Sequence, residues 1–353
     1  MKPEELYKEL KNYNFGPFTG VADSVFSGFF NYLEELNQYI PAANEGLALS
    51  IAAGSYLAGK KPVVLLQNAG IGNLINPQTS LNDLYKIKSL LLIGWRGNPN
   101  KPKDAPEHWL MGERTQDFLK LANIESKVLE SLEDIAWADK ELKNKNTIAL
   151  LINPGFIDNY ETKINSKFEM SRYEALEIIA KKTKNMIRFS TTAMISRELY
   201  DIDGSSKNFY IIGSMGHIGA IALGTTLQKK EKVVILDGEG ALIMHLGVLS
   251  TIGNLKPKNL LHICLDNESY SSTGLQKTTS DTTYLDKVAL NCGYINVRKA
   301  IKEDEIEGSL DELLKLDGPN FLLIKINPGN KQNIKRIELS PEEITKRFID
   351  AIK

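Results

Sequence analysis

The amino-acid sequence predicts an α/β protein made of two doubly wound parallel-sheet domains. Three features carry that reading. Short, solid runs of Val, Ile and Leu recur along the chain, as in strands covered on both faces. Stretches with helical apolar spacing separate these runs, and strand alternating with helix is the pattern of a doubly wound sheet. The whole alternation then occurs a second time.

In the first half, residues 63–67, 90–95 and 147–153 read as buried strands, with helices over 44–57 and 113–121. In the second half the strands are 209–213, 233–237, 260–267 and 321–327, and the helices 172–182, 216–228 and 240–253. Between the halves, 158–167 is polar and poor in aliphatic residues. A boundary there gives domains over 1–165 and 170–353. The segment PNKPKDAP (99–106) reads as a mobile flap within the first half. No solenoid repeat or low-complexity tract interrupts the pattern.

Composition narrows the function. Of 353 residues, 42% are hydrophobic and 25% charged, the mix of a globular chain with a full core. Lys and Arg number 43 against 44 Asp and Glu, a net charge of −1. That balance favours neither nucleic acid nor an anionic membrane as a partner. Apolar stretches such as 89–95 fall far short of the ~20 residues of a membrane span. The opening MKPEELYKELKNYNF lacks the apolar core of an export signal. Two cysteines, Cys264 and Cys292, build neither a disulfide framework nor a Cys-based zinc site. A cytoplasmic enzyme is the expectation.

In doubly wound sheets, ligands sit at the carboxyl ends of strands, where loops and helix N-termini present backbone N–H groups. In VVILDGEG a strand ends at Asp237, and Gly238 and Gly240 lead into an apolar helix. The glycines allow close backbone approach, and Asp237 offers a hard oxygen to Mg²⁺. An Asp that caps the helix beside a tight turn is the alternative. The next strand, in LLHICLDNESYSSTG, ends 30 positions later at Asn267, whose amide oxygen is a second candidate ligand. Mg²⁺ commonly completes its octahedron with ligand phosphates and water. In the first half, Glu45 lies among small apolar neighbours in IPAANEGLALSIAAG. Poor solvation there raises a carboxyl pKa and lets its proton be shared. The plainer alternative is a Glu favoured in a first helical turn by the dipole.

Asp237-Gly238 followed at that distance by Asp266-Asn267 resembles the thiamine diphosphate signature, GDG and then NN, with Leu236 and Asp266 departing from it. Further segments extend the resemblance over nearly the whole chain: GVADS (20–24), ANEG (43–46), LLQNAGIGNLINPQTSL (65–81), LLLIGWRG (90–97), STTAMISREL (190–199), GSMGHIGAIALG (213–224) and DNESYSSTGLQ (266–276). They resemble the phosphonopyruvate and sulfopyruvate decarboxylase family. Ala193 stands where that family tends to have Gly, and Leu275 where a second Gly is common.

The resemblance implies the thiamine diphosphate-binding fold, with a pyrimidine-binding domain over 1–165 and a diphosphate- and Mg-binding domain over 170–353. It implies Mg²⁺ held by the side chains of Asp237 and Asn267 and the carbonyl of Ser269. Thr191, Thr192, Ser214, Gly238, Glu239 and Gly240 contact the diphosphate in this reading. The Glu239 side chain is expected to point away, because its charge opposes the ligand's. Met215 is the wedge beneath the bent cofactor, and Asn73 lies near it. Glu45 is both cofactor-binding and catalytic, protonating the pyrimidine ring. Asp23 and His217 stand at the reacting centre, His217 as proton donor or carboxylate contact. Asp23, His217, Gln67, Asn68 and Arg96 meet the substrate. Its several negative charges call for a cation, with Lys101 and Lys103 as further candidates beside Arg96. His245 and His262 read as core histidines, one in a helix and one in a strand.

The implied activity is decarboxylation of 3-phosphonopyruvate to phosphonoacetaldehyde and CO₂, in phosphonate biosynthesis. Sulfopyruvate decarboxylation is the close alternative, and another 2-keto acid decarboxylase or an acetolactate-type carboligase a more distant one. The implied partner is a second copy of the chain, a homodimer at minimum with active sites between chains. A second type of subunit is a further alternative, although both half-sites occur on this chain. A nicotinamide oxidoreductase is disfavoured, because Gly213, Gly216 and Gly219 are spaced G-x-x-G-x-x-G rather than G-x-G-x-x-G. A non-catalytic cofactor-binding protein has no need of Glu45.

Overall fold

The computed structural model describes residues 1–162 and 166–353, which form two compact units, Met1–Lys163 and Ile164–Lys353. The expected boundary stretch, 158–167, contains residues 163–165, which lie outside the described residues.

The first unit carries six strands: β1 (Phe15–Gly20), β2 (Tyr39–Pro41), β3 (Lys61–Gln67), β4 (Ser89–Gly94), β5 (Glu125–Val128) and β6 (Thr147–Ile152). Its helices are α1 (Pro3–Asn12), α2 (Ser27–Glu35), α3 (Glu45–Leu57), α4 (Ile71–Pro77), α5 (Asp83–Tyr85), α6 (Trp109–Leu121) and α7 (Glu133–Glu141). The strands form one parallel sheet in the order β2-β1-β3-β4-β6-β5. Val63, Leu65, Leu90, Leu92, Ile148 and Leu150 pack on one face. Val64, Leu66, Leu91, Ile93, Ala149 and Leu151 pack on the other. Both faces are buried, so these strands read as unbroken apolar runs.

The second unit repeats the plan. Its strands are β7 (Ile187–Ser190), β8 (Asn208–Tyr210), β9 (Val233–Gly238), β10 (Leu260–Asp266), a small antiparallel pair β11 (Ser269–Tyr270) and β12 (Gln276–Lys277), β13 (Asn296–Ala300) and β14 (Asn320–Lys325). The helices are α8 (Arg172–Lys182), α9 (Met194–Ile202), α10 (Ile218–Thr226), α11 (Glu239–Met244), α12 (Val248–Leu255), α13 (Leu285–Asn291), α14 (Glu303–Leu313) and α15 (Pro341–Ile352). The main sheet, β13-β14-β10-β9-β7-β8, is again parallel and has the same strand order as the first.

Several expected elements need correction. The helix expected over 240–253 is two helices, α11 and α12, separated at His245–Gly247. Backbone bonds from Val248 to His245 (3.0 Å) and from Leu249 to Leu246 (3.1 Å) make a tight turn there. The strand expected over 209–213 ends at Tyr210, and the helix expected from 216 begins at Ile218 after a turn with positive φ at Ser214 and Gly216.

The strand order sets where ligands go. In the first unit the chain leaves β1 toward one edge and β3 toward the other, so a crevice opens between their carboxyl ends. In the second unit the same reversal lies between β7 and β9. Among the described residues no helix is long and apolar enough to cross a membrane.

Candidate active site

In the first unit, Asp23 follows β1 and Gln67 ends β3, one on each side of the reversal. Gln67 Nε2 donates to Asp23 Oδ1 at 3.0 Å. Asp23 is fully buried, and desolvation lifts its carboxyl above the usual range against the opposing Gln67 hydrogen bond. Gly94, at the end of β4, leaves it room: a Cβ there would lie 1.7 Å from Asp23 Oδ2.

Glu45 opens α3, whose first turn Asn44 caps by accepting the Leu47 N–H at 2.9 Å. Its side chain is buried, and Asn73 Nδ2 donates to Oε2 at 2.7 Å. Burial raises this carboxyl, and the Asn73 bond offsets part of the rise. A Cβ on Gly70 would stand 2.3 Å from Glu45 Oε1, so only glycine admits this pose. The fold thus pairs Glu45 with Asn73, and Asp23 with Gln67.

Asn68 and Arg96 are placed differently from expectation. Asn68 has no exposed surface. Its Nδ2 donates to the Arg96 carbonyl (2.8 Å) and to Thr115 Oγ1 (2.9 Å), and its Oδ1 accepts the Arg96 N–H (3.2 Å). With both ends of the amide committed, Asn68 clamps the turn after β4 instead of offering groups to a substrate. The Arg96 guanidinium grips Asp104 through two bonds of 2.6 and 2.8 Å and reaches Ser24 Oγ at 3.1 Å. That grip holds the Asp104 carboxyl well below the usual carboxylate range. The expected flap is therefore tied back at Asp104, and at Lys103, whose Nζ lies 3.9 Å over the Trp109 ring. Lys101 is exposed.

In the second unit, Thr191 and Thr192 follow β7, Asp237 and Gly238 end β9, and Asn267 follows β10, so candidate groups cluster at the tips of three neighbouring strands. The Thr191 hydroxyl is buried and has no hydrogen-bond partner. Asp237 is almost wholly buried; its Oδ1 accepts the Gly238 N–H at 2.9 Å, and its Oδ2 lies 3.4 Å from His262 Nε2. Asn267 Oδ1 accepts the Ser269 N–H at 3.0 Å, and its Nδ2 donates to Ser271 Oγ at 2.6 Å. Glu239, at the first position of α11 just before Gly240, turns its side chain into the interior of the unit. There it accepts the Ser269 N–H at 3.0 Å and the Thr278 hydroxyl at 3.4 Å. Burial first, then the nearby Asp266 charge, push its pKa up to about 8.

The turn before α10 holds Ser214 and His217 exposed and Met215 half-buried. His217 Nδ1 lies 3.2 Å from the Ser214 carbonyl. A carbonyl only accepts, so Nδ1 carries the proton and Nε2 is left as acceptor. The His217 ring also lies 4.3 Å, centroid to centroid, from that of His245, tilted by 47°. His245, expected inside a helix, instead ends α11 at its break and is half-buried. Ala193, just before α9, has φ 64° and ψ −131°, and Leu275 has φ 67°. Both residues that depart from the resembled family's glycines thus hold a backbone shape that glycine adopts without strain.

These residues fit a diphosphate with a divalent ion. Among the described residues no three His, Cys, Asp or Glu side chains form a self-sufficient metal site. The Asp237 carboxylate and the Asn267 amide, at the tips of neighbouring strands, are hard oxygen donors of the kind whose shell ligand oxygens would complete. The unpartnered Thr191 hydroxyl is the kind of buried polar group that a bound anion satisfies.

The chain is 33% identical over 335 residues to a phosphonopyruvate decarboxylase from Streptomyces viridochromogenes, covering 88% of this chain and 84% of that one. This chain belongs to the phosphonopyruvate decarboxylase family. A sulfopyruvate decarboxylase from Methanosarcina acetivorans is 30% identical over 345 residues, 89% of this chain and 88% of that one. A sulfopyruvate decarboxylase subunit beta from Methanococcus maripaludis is 36% identical over 185 residues, which is 52% of this chain and 99% of that one. Residues 191–324 match the thiamine pyrophosphate enzyme C-terminal TPP binding domain, a span from Thr191 into the sheet's β14. Sequence reading left His262 as a core histidine and passed over Lys325. His262 Nε2 lies 3.4 Å from Asp237 Oδ2, and Lys325 Nζ lies 2.8 Å from both Asp266 Oδ2 and Glu268 Oε1, the residues that flank Asn267. A polar residue within an otherwise apolar strand run was the one signal each gave.

Proposed function

We propose that this chain decarboxylates 3-phosphonopyruvate to phosphonoacetaldehyde and CO₂, in the cytoplasm, with thiamine diphosphate held through Mg²⁺. The observation that carries this reading is the pairing of a family-level match with a Glu45 whose carboxyl pKa is raised by burial, in one unit, and an Asp237–Asn267–Ser269 oxygen set in the other. When bound, thiamine diphosphate supplies the electron sink for the pair left behind as CO₂ departs.

The chain's own residues do the rest. The first unit is the pyrimidine-binding domain and the second the diphosphate-binding domain. Glu45, oriented by Asn73, would share a proton between its carboxyl and a ring nitrogen. Asp237, Asn267 and the Ser269 carbonyl would hold Mg²⁺. Thr191, Thr192, Ser214, Gly238 and Gly240 would hold the diphosphate, and Met215 would support the cofactor between its rings. Glu239 contributes its backbone only, since its side chain is engaged with Ser269 and Thr278. His217 Nε2 and Asp23 are the acid–base groups at the substrate, beside Gln67. Arg96 is the cation for the phosphonate, which competes with Asp104 for the guanidinium. Glu45 and Asp237 lie in separate units, and the reading places active sites between chains of a homodimer.

A sulfonate substrate is the second reading, favoured by the similarity to the Methanosarcina acetivorans enzyme. One experiment separates the two. With thiamine diphosphate and Mg²⁺ supplied, CO₂ release is compared for phosphonopyruvate, sulfopyruvate and pyruvate. The proposal expects the highest kcat/KM for phosphonopyruvate; preference for sulfopyruvate moves the chain to the second reading, and no release from any of the three rejects both.

A further inference from the structure

His262 lies in the middle of β10, has no exposed surface, and sits in a strand that is otherwise apolar up to Asp266. In the parallel register His262 faces Ile235 and Cys264 faces Asp237, so His262 and Asp237 point to the same face of the sheet, on neighbouring strands. The His262 Nε2 is buried, makes no hydrogen bond, and lies 3.4 Å from Asp237 Oδ2. On the ring's other side, Nδ1 is 3.0 Å from the hydroxyl of Tyr294, which is itself 2% exposed. Phe321 crosses the imidazole edge-on with centroids 5.3 Å apart. A Cβ on Gly219 of α10 would come within 3.8 Å of Cε1. The ring is thus fixed from three sides.

The tautomer follows from these contacts. Were Nδ1 to carry the proton, the Nε2 lone pair would face the Asp237 carboxylate, and two acceptors would oppose each other in a dry interior. With the Tyr294 hydroxyl donating to Nδ1, Nε2 carries the proton on the side of the ring nearer the carboxylate instead. Asp237 Oδ1 is already bonded to the Gly238 N–H at 2.9 Å. Oδ1 thus has a fixed donor and Oδ2 an imidazole nitrogen 3.4 Å away, and together they restrict the carboxylate before any cation arrives. A histidine that only filled space here would need neither contact, because Phe fills the same volume without burying two ring nitrogens.

We infer that His262 is a positioning residue: the buried chain Tyr294–His262–Asp237 orients the Asp237 carboxylate for the divalent ion. The inference rests on reading Asp237 as a metal ligand. Partners of this kind hold a ligand's orientation, and their loss typically lowers metal affinity about 10–100-fold.

The test uses the full-length, cofactor-free protein at a fixed concentration of thiamine diphosphate, titrated with Mg²⁺ by calorimetry. His262→Phe is expected to raise the Mg²⁺ half-saturation about 10-fold or more, with the cofactor-free melting temperature close to wild type. His262→Gln, whose amide N–H can replace Nε2–H, is expected to recover part of the loss. Tyr294→Phe, which removes only the hydroxyl, is expected to shift half-saturation in the same direction. A folded His262→Phe protein whose Mg²⁺ half-saturation stays within twofold of wild type overturns the inference. If His262→Phe does not fold, an unchanged half-saturation in Tyr294→Phe does the same. Asp237→Ala tests the underlying reading separately: undiminished Mg²⁺-dependent cofactor binding in that variant rejects Asp237 as a ligand, whatever His262 does.

Discussion

Ala193 offers a prediction whose size can be worked out. Its φ of 64° with ψ of −131° lies in a region that glycine occupies freely and a Cβ-bearing residue does not. Holding a residue in such a conformation costs about 1–3 kcal/mol. Replacing Ala193 by Gly releases that strain, while the extra freedom of glycine in the unfolded chain takes back about 0.5–1 kcal/mol. The net expectation for Ala193→Gly, taken at the middle of both ranges, is a gain of ~1.3 kcal/mol. For a unit of 150–250 residues each kcal/mol moves the melting temperature about 2–4 °C, so the second unit is expected to melt ~3–5 °C higher. Differential scanning calorimetry of the cofactor-free protein, with urea unfolding as a second measure, reads this directly. Because Ala193 directly follows Thr191 and Thr192, the variant is also expected to alter cofactor affinity. An Ala193→Gly protein that is no more stable than wild type refutes the strain argument, and a less stable one reverses it.

Glu45 and its surroundings yield two further expectations. Burial raises the folded-state pKa of Glu45 above the ordinary value of about 4.3. Its contribution is therefore fully present below that unfolded value and is lost as pH rises through the folded one. Glu45→Gln should accordingly be more stable than wild type at pH 8, and the difference should vanish at pH 4. Urea melts of the cofactor-free proteins at the two pH values check this, while turnover with cofactor falls at least tenfold. Gly70→Ala, whose Cβ would sit 2.3 Å from Glu45 Oε1, is expected to displace that carboxyl; steady-state kinetics should show kcat down about 10-fold or more with little change in melting temperature. Lys325→Met leaves Asp266 buried without its cation and is expected to cost about 3 kcal/mol in urea unfolding; adding Asp266→Asn should return most of it. If Arg96 binds the phosphonate, Arg96→Lys should raise KM more for phosphonopyruvate than for pyruvate.

The central strands were legible because both faces of each are covered. Val63–Leu66, Leu90–Ile93 and Ile148–Leu151 alternate between two buried layers, so no polar residue interrupts them. The strands that escaped notice lack such runs. β2 is three residues at an edge, β5 (ESKV) and β13 (NVRKA) are edge strands with charged residues, and β1 carries Gly16 and Pro17 at a register shift opposite Lys61. The motif residues at strand tips were readable from their chemistry, but their pairings were not. That Arg96 is occupied by Asp104, that Asn68 is spent on the Arg96 backbone, and that His262 reaches Asp237 are all consequences of strand register and loop closure. None of these contacts joins residues close in sequence except Arg96 and Asp104, and there the loop's proline-rich composition masked the latch. The break in 240–253 was hidden because apolar residues run up to it and resume after it, with only His245 and Gly247 interrupting at the turn itself.

The two sheets share a plan but not a strand: every pairing in each is made within its own unit. Severing the chain between β6 and α8 would break no inter-strand hydrogen bond and strip no layer from either core. A gene cut at that point would still encode both sheets with all their described strands, each with its own strand reversal. Whether such a protein is written as one polypeptide or two then becomes a matter of how the pieces meet rather than of how they fold.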